Sequence, residues 1–261
     1  MTIETISDYQ NEIKQAIRCT INDMHHVIGI DSIKIKPESR IQGLLGSRIQ
    51  GCIGLDYNVE YESRVKEIRK SMFYYHLENE FKTNRLNYLS DCYKYMFDRK
   101  GGNVDLVITD INSKYSACSL LSGDPYALIE LKTDVNAKGE LEKDLKRIYD
   151  FISLVPERNK ICYTSLIIIH DHDFNVNDLF SEFNYKEFDF SNCSYGAGIN
   201  CNILNDNIKL PEIDDYQFED NGVIYSETRG RIFYYSIITL YRENKPKFGD
   251  KLAAENQNPP E

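Results

Sequence analysis

The chain has 261 residues, 41% hydrophobic and 28% charged, which allows a sizeable core and excludes a wholly disordered chain. A net charge of −10 counts against broad electrostatic binding of nucleic acid, yet it leaves room for a local basic cleft and suits carboxylates gathered around a divalent cation. Seven cysteines, odd in number and without a C-x-x-C pair, read as reduced thiols of a cytoplasmic protein rather than as a disulfide framework or a zinc site.

The opening MTIETISDYQNEIKQ is polar, without the apolar run of a leader peptide, and no later run is long enough to span a bilayer, so no membrane is expected among the partners. Over residues 5–28, Ile6, Ile13, Ile17, Ile21 and Met24 fall near one helical face, with Ser7 or Asp8 as the expected cap. Residues 39–54, SRIQGLLGSRIQGCIG, carry SRIQG twice and read as a turn-rich loop or short hairpin; a second reading is a basic loop offering Arg40 and Arg48 to a phosphate backbone. Residues 60–98 contain no Gly or Pro and predict helix, ended by Gly101 and Gly102. NVDLVITDI, from Asn103, and YALIELKT, from Tyr126, predict two strands. Residues 139–155 predict a helix with Leu141, Leu145, Ile148 and Ile152 on one face, and residues 161–169 a buried strand. Past residue 175, Gly196, Gly198 and many asparagines read as loops; residues 222–242 read as strands, with a hairpin expected around Arg229 and Gly230. The polar, Pro-containing end, 246–261, reads as a disordered tail.

The order strand, strand, helix, strand predicts an α/β fold with a mixed sheet, the first two strands forming a hairpin and the helix crossing over to the next strand. Three charges interrupt the two most strand-like segments. Alternation puts Glu130 and Lys132 on one face, with Ile129 and Leu131 on the other. A hairpin would set Asp105 beside Glu130 on that same face. Neighbouring buried carboxylates repel unless a cation lies between them, and hard oxygen ligands suit Mg²⁺, with Mn²⁺ as a substitute. The bland alternative is a salt bridge of Lys132 with Glu130 or Asp105 on a half-exposed strand.

Asp105, followed after a hairpin by Glu130-Leu131-Lys132, resembles the PD-(D/E)XK nuclease superfamily, over roughly residues 71–170. The proline of that motif is absent; Val104 precedes Asp105. The resemblance implies a restriction-endonuclease-like mixed β-sheet flanked by helices, here with extra N-terminal helices and a C-terminal β-rich extension. Residues 1–60 would then be an N-terminal helical and loop region, 61–175 the core, and 176–245 an extension of the same domain. It implies a Mg²⁺-dependent DNA endonuclease, in restriction or phage defence, acting on double-stranded DNA and working as a homodimer. Asp105, Glu130 and the Leu131 carbonyl would hold the metal, and Lys132 would orient the attacking water. A further carboxylate on the preceding helix is implied: Glu80 lies about 60° from the stripe of Phe73, Leu77, Phe81 and Tyr88, and Glu78 about 100°, which favours Glu80. Lys143, Lys146 and Arg147 on the following helix become candidate phosphate contacts, with Lys138 a further one, while Lys143 pairing with Glu140 or Asp144 is the bland reading. The competing function is a non-catalytic nuclease-fold subunit that binds protein partners. His170-Asp171-His172-Asp173 looks like a metal cluster, but alternation splits it between two faces, so a polar strand end is the expected role.

Overall fold

The computed structural model describes residues 5–28, 38–69, 71, 102–112, 120–133, 138–153, 161–170, 199–210, 217–220, 223–226 and 232–242. Its described elements are α1 (Ile6–Ile28), α2 (Glu38–Ile53), β1 (Tyr57–Arg64), β2 (Asn103–Asp110), β3 (Asp124–Lys132), α3 (Lys138–Ser153), β4 (Tyr163–His170), β5 (Ile199–Lys209), β6 (Gln217–Asp220), β7 (Val223–Ser226) and β8 (Ile232–Arg242). Six strands form one mostly antiparallel sheet in the order β1-β2-β3-β4-β8-β5, and β6 and β7 form a separate pair. Only β3 and β4 run parallel among these pairs, and α3 supplies the crossover that a parallel pair requires.

Helices cover both faces of the sheet. On one face the buried stripe of α1 (Tyr9, Ile13, Ile17, Ile21) and of α2 (Ile41, Leu45, Ile49) packs on Leu106, Ile108, Ile129, Leu131, Ile167 and Ile169. On the other, Leu141, Leu145, Ile148 and Ile152 of α3 pack on Leu166, Ile168, Ile238 and Leu240. Successive β4 residues thus enter two different cores, which is why YTSLIIIH is apolar through most of its length; each buried Ile or Leu contributes about 2 kcal/mol.

The structure corrects several expectations. The α1 cap is Thr5, not Ser7 or Asp8: Thr5 Oγ1 accepts from the Asp8 N–H at 3.1 Å, and Asp8 Oδ2 accepts from the Thr5 N–H at 3.0 Å, a reciprocal capping box. Residues 39–54 are the body of α2, not a loop or hairpin. Ile41, Leu45, Ile49 and Ile53 recur every four residues and are all buried, and their packing outweighs glycine's poor helix propensity. Gly46 has a positive role there, since a Cβ on it would lie 2.5 Å from the Tyr61 ring. Arg48 pairs with Asp23 across α1 and α2.

Residues 60–64 of the helix predicted over 60–98 belong instead to β1, whose Tyr57, Val59 and Tyr61 alternate at strand period; residues 65–69 and 71 are helical, and 70 and 72–98 lie outside the described residues. Residues 199–209 are a strand, β5, not loop. Among the described residues its only sheet neighbour is β8, which places it at the edge of the sheet. The hairpin expected around Arg229 and Gly230 is not formed between β7 and β8, because β7 pairs with β6 while β8 is taken between β4 and β5. The two strands at Asn103 and Tyr126, the helix from residue 139 and the strand from residue 161 stand where expected, within two residues at each end. The tail expected at 246–261 lies outside the described residues.

Gly123 enters β3 where the chain passes close to β2. A Cβ there would stand 1.9 Å from the Asp110 carbonyl oxygen, an atom the ladder holds in place. We expect Gly123→Ala to lose about 2–3 kcal/mol in urea unfolding, the range of an overpacked site. A loss below about 0.5 kcal/mol would show that the turn moves freely.

Candidate active site

Pairing between β2 and β3 ends at Leu106↔Ile129, whereas β2 stays paired with β1 as far as Asn103↔Arg64. The two strands therefore part at Asp105 and Glu130. The Leu131 N–H, left without a strand partner on that side, donates to Asp105 Oδ2 at 2.6 Å. Behind the notch, Gln42 of α2 donates to the Asp105 carbonyl at 2.7 Å. Opposite Asp105 in the β1 register, Glu62 adopts φ of 50°, a left-handed kink beside the point of divergence.

Side-chain alternation is as expected. Leu131 and Ile129 enter the core beneath α1 and α2, and Glu130 and Lys132 face α3. The bland pairing is not the one formed: Lys132 meets neither Glu130 nor Asp105 as its ion-pair partner but Asp144 Oδ2, with Nζ at 3.3 Å. Glu130 meets Arg147, whose Nη1 is 3.1 Å from Oε1 and also donates to the Asn103 carbonyl at 2.8 Å. The other guanidinium nitrogen, Nη2, pairs with Asp144 one turn back along α3.

Glu130 is only 2% exposed and Asp144 4%. Burial is the main force on the Glu130 carboxyl and pushes it up to about 9; Asp105 and Asp144 add to the rise, and Arg147 and Lys132 oppose it. Three carboxylates (Asp105, Glu130, Asp144) and two cations (Lys132, Arg147) thus gather beside β3. Glu130 Oε1 and Asp144 Oδ2 are buried and accept no hydrogen bond, so each has an ionic contact but unused lone pairs.

That donor set fits a hard divalent cation in chemistry: buried carboxylate oxygens with unused lone pairs. It does not form a finished cage, since among the described residues no three His, Cys, Asp or Glu side chains lie close enough together to hold one ion. The Leu131 contact seen here is through its amide, which serves Asp105. Of the basic candidates on α3, Arg147 reaches the site, while Lys143 and Lys146 are exposed. Glu80 and Glu78 lie outside the described residues, and the side chain of Lys138 does too. His170 is buried and stacks on Tyr234, ring centroids 5.9 Å apart, which fits a strand-end role; Asp171, His172 and Asp173 lie outside the described residues.

Asp144 is a site residue that the sequence reading misses. Its signal is nonetheless there: three residues past Leu141 and four before Ile148, it is an acid set within an apolar helical stripe. Cys19, Cys52, Cys162 and Cys201 are free thiols. Among the described residues no helix is long and apolar enough to cross a membrane. Compared with known proteins, the chain matches no family model, no curated protein and no solved structure.

Proposed function

We propose that this protein is a Mg²⁺-dependent nuclease of restriction-endonuclease-like fold, cutting phosphodiester bonds of DNA. The observation that carries the reading is the convergence of Asp105, Glu130 and Lys132 where β2 and β3 part. The element order around them, strand hairpin, crossover helix and parallel strand, supports it further.

Asp105 and Glu130 would hold the metal ion, which when bound would lower the pKa of a coordinated water and offset charge on phosphorus. The chain's own groups divide the remaining work. Lys132, its side chain part-exposed at the mouth of the notch, would orient the attacking water and donate to a phosphate oxygen as negative charge builds there. Arg147, the basic group of α3 beside Glu130, would meet the scissile phosphate, and its fork suits two phosphate oxygens at once. Asp144 holds Lys132 and Arg147 in place from beneath.

The test incubates the protein with plasmid and single-stranded DNA in Mg²⁺, in Mn²⁺ and in chelator. Cleavage should need the metal and fall by about 10²–10³-fold in Lys132→Ala and at least as far in Glu130→Ala. Metal-dependent cleavage that survives both substitutions overturns the site. A second reading, a nuclease-fold subunit without catalysis, draws support from the ion pairs that already engage Lys132 and Arg147. Failure to cleave any substrate would favour it.

A further inference from the structure

We propose that Arg147 is the resident occupant of a divalent-cation seat at Glu130, and that binding a cation and releasing Arg147 from Glu130 are a single event. The proposal rests on reading Asp105 and Glu130 as cation ligands, but it concerns binding rather than cleavage.

Four observations carry it. First, Arg147 is the only ion-pair partner in contact with Glu130 among the described residues, because Lys132 is drawn to Asp144. The positive charge nearest the most deeply buried acid of the site thus comes from a side chain on another element. Second, the contact leaves Glu130 incompletely served: Oε1 is buried, lies 3.1 Å from Nη1 and accepts no hydrogen bond. A carboxylate permanently committed to arginine ordinarily receives aligned N–H bonds from the fork. Third, Arg147 has other anchors. Nη1 donates to the Asn103 carbonyl and Nη2 pairs with Asp144, so the guanidinium can leave Glu130 without becoming a bare charge. Fourth, Arg147 serves two carboxylates at once, Glu130 and Asp144. A divalent cation adds two positive charges beside Glu130, which repels Arg147 as it satisfies the carboxylate.

Asp144 is then a positioning residue. Holding Arg147 from one side and Lys132 from the other, it keeps both cations at the rim of the notch. The released guanidinium becomes available to an incoming anion only when the cation is in its seat. Cation and phosphate would therefore bind with positive coupling, each favouring the other.

The experiment measures Mn²⁺ alone, without nucleic acid, by electron paramagnetic resonance of the free ion. It compares wild type, Arg147→Met, Arg147→Lys and the double variant Arg147→Met with Glu130→Gln. Removing the competing charge should tighten Mn²⁺ binding at least about tenfold in Arg147→Met. Arg147→Lys, which keeps the charge and loses the fork, should lie between it and wild type, and adding Glu130→Gln should abolish the gain. Unchanged or weaker binding in Arg147→Met overturns the proposal, as does the absence of Mn²⁺ binding in every variant. Should Arg147→Met fold poorly without metal, the rise in its unfolding midpoint on adding Mn²⁺ is read instead. A rise larger than that of wild type supports the proposal, and an equal or smaller rise overturns it. The outcome is separable from the nuclease reading. Tightened Mn²⁺ binding in a protein that cuts nothing keeps Arg147 as the occupant and removes the nuclease; cleavage with Mn²⁺ affinity indifferent to Arg147 does the reverse.

Discussion

Glu130→Gln should be more stable than the wild type in chelator at pH 7, and its advantage should widen as pH rises from about 5 to about 9. The Glu130 carboxyl is pushed up to about 9, chiefly by burial, against an ordinary value of 4.5. The folded protein thus retains a proton that the unfolded chain releases. For an acid shifted upward, the stability it contributes is whole below the unfolded pKa and is lost as pH climbs towards the folded one. At pH 7 that loss is on the order of 3 kcal/mol. Protonating Glu130 makes it a neutral group beside Arg147. Glutamine reproduces that neutral state at every pH. Urea unfolding of both proteins at pH 5, 7 and 8.5, with and without Mg²⁺, checks this. The wild type should become less stable with pH in chelator and less steeply so in Mg²⁺, while the variant should ignore the metal. Parallel pH profiles of the two proteins would sink the account.

The second large effect is expected at Asp144. Its side chain is almost fully buried and is the ion-pair partner of both Lys132 and Arg147. Asp144→Ala leaves two cations beside β3 with their shared counter-charge removed. Breaking a buried pair from one side is worse than replacing both sides, because the surviving charges stay desolvated with less compensation; Arg147 keeps its contacts with Glu130 and the Asn103 carbonyl. Since Lys132 and Arg147 keep some exposure, the lower end of the usual range applies, about 3 kcal/mol. Asp144→Asn, keeping shape and one acceptor oxygen, should lose less. Lys143→Ala, exposed on the same helix, should stay within about 0.5 kcal/mol of wild type and serves as the control. Equal urea midpoints for Asp144→Ala and Lys143→Ala would remove Asp144 from the site. Combined with Glu130→Gln, Asp144→Ala should be non-additive, since both carboxylates share Arg147.

The parts of this site legible in the sequence are those set by local geometry. Period-two alternation gives Glu130 and Lys132 a common face, and a hairpin between neighbouring strands brings Asp105 to them; neither step needs distant information. Asp144 is harder to read, because the informative residue of α3 is an acid on its apolar side and not one of its more numerous exposed bases. The elements that depart from expectation share a physical reason: tertiary packing overrode composition. Three glycines disguise α2, glutamates at Glu60 and Glu62 disguise β1, and asparagines disguise β5. The position of β8 leaves no local trace, because it pairs with β4 across a long intervening stretch of chain.

That position governs how the molecule can be assembled. β4 is buried on both faces and along both edges, yet one of those edges is closed only by β8. During synthesis the segment YTSLIIIH emerges long before its partner, so an apolar strand waits with a full row of unpaired backbone groups. Closing the sheet is a long-range event and slow relative to forming the β2–β3 hairpin. The waiting edge is the point at which nascent or partly unfolded copies can pair with one another, and substitutions in Phe233–Leu240 should act on folding yield before they act on the site itself.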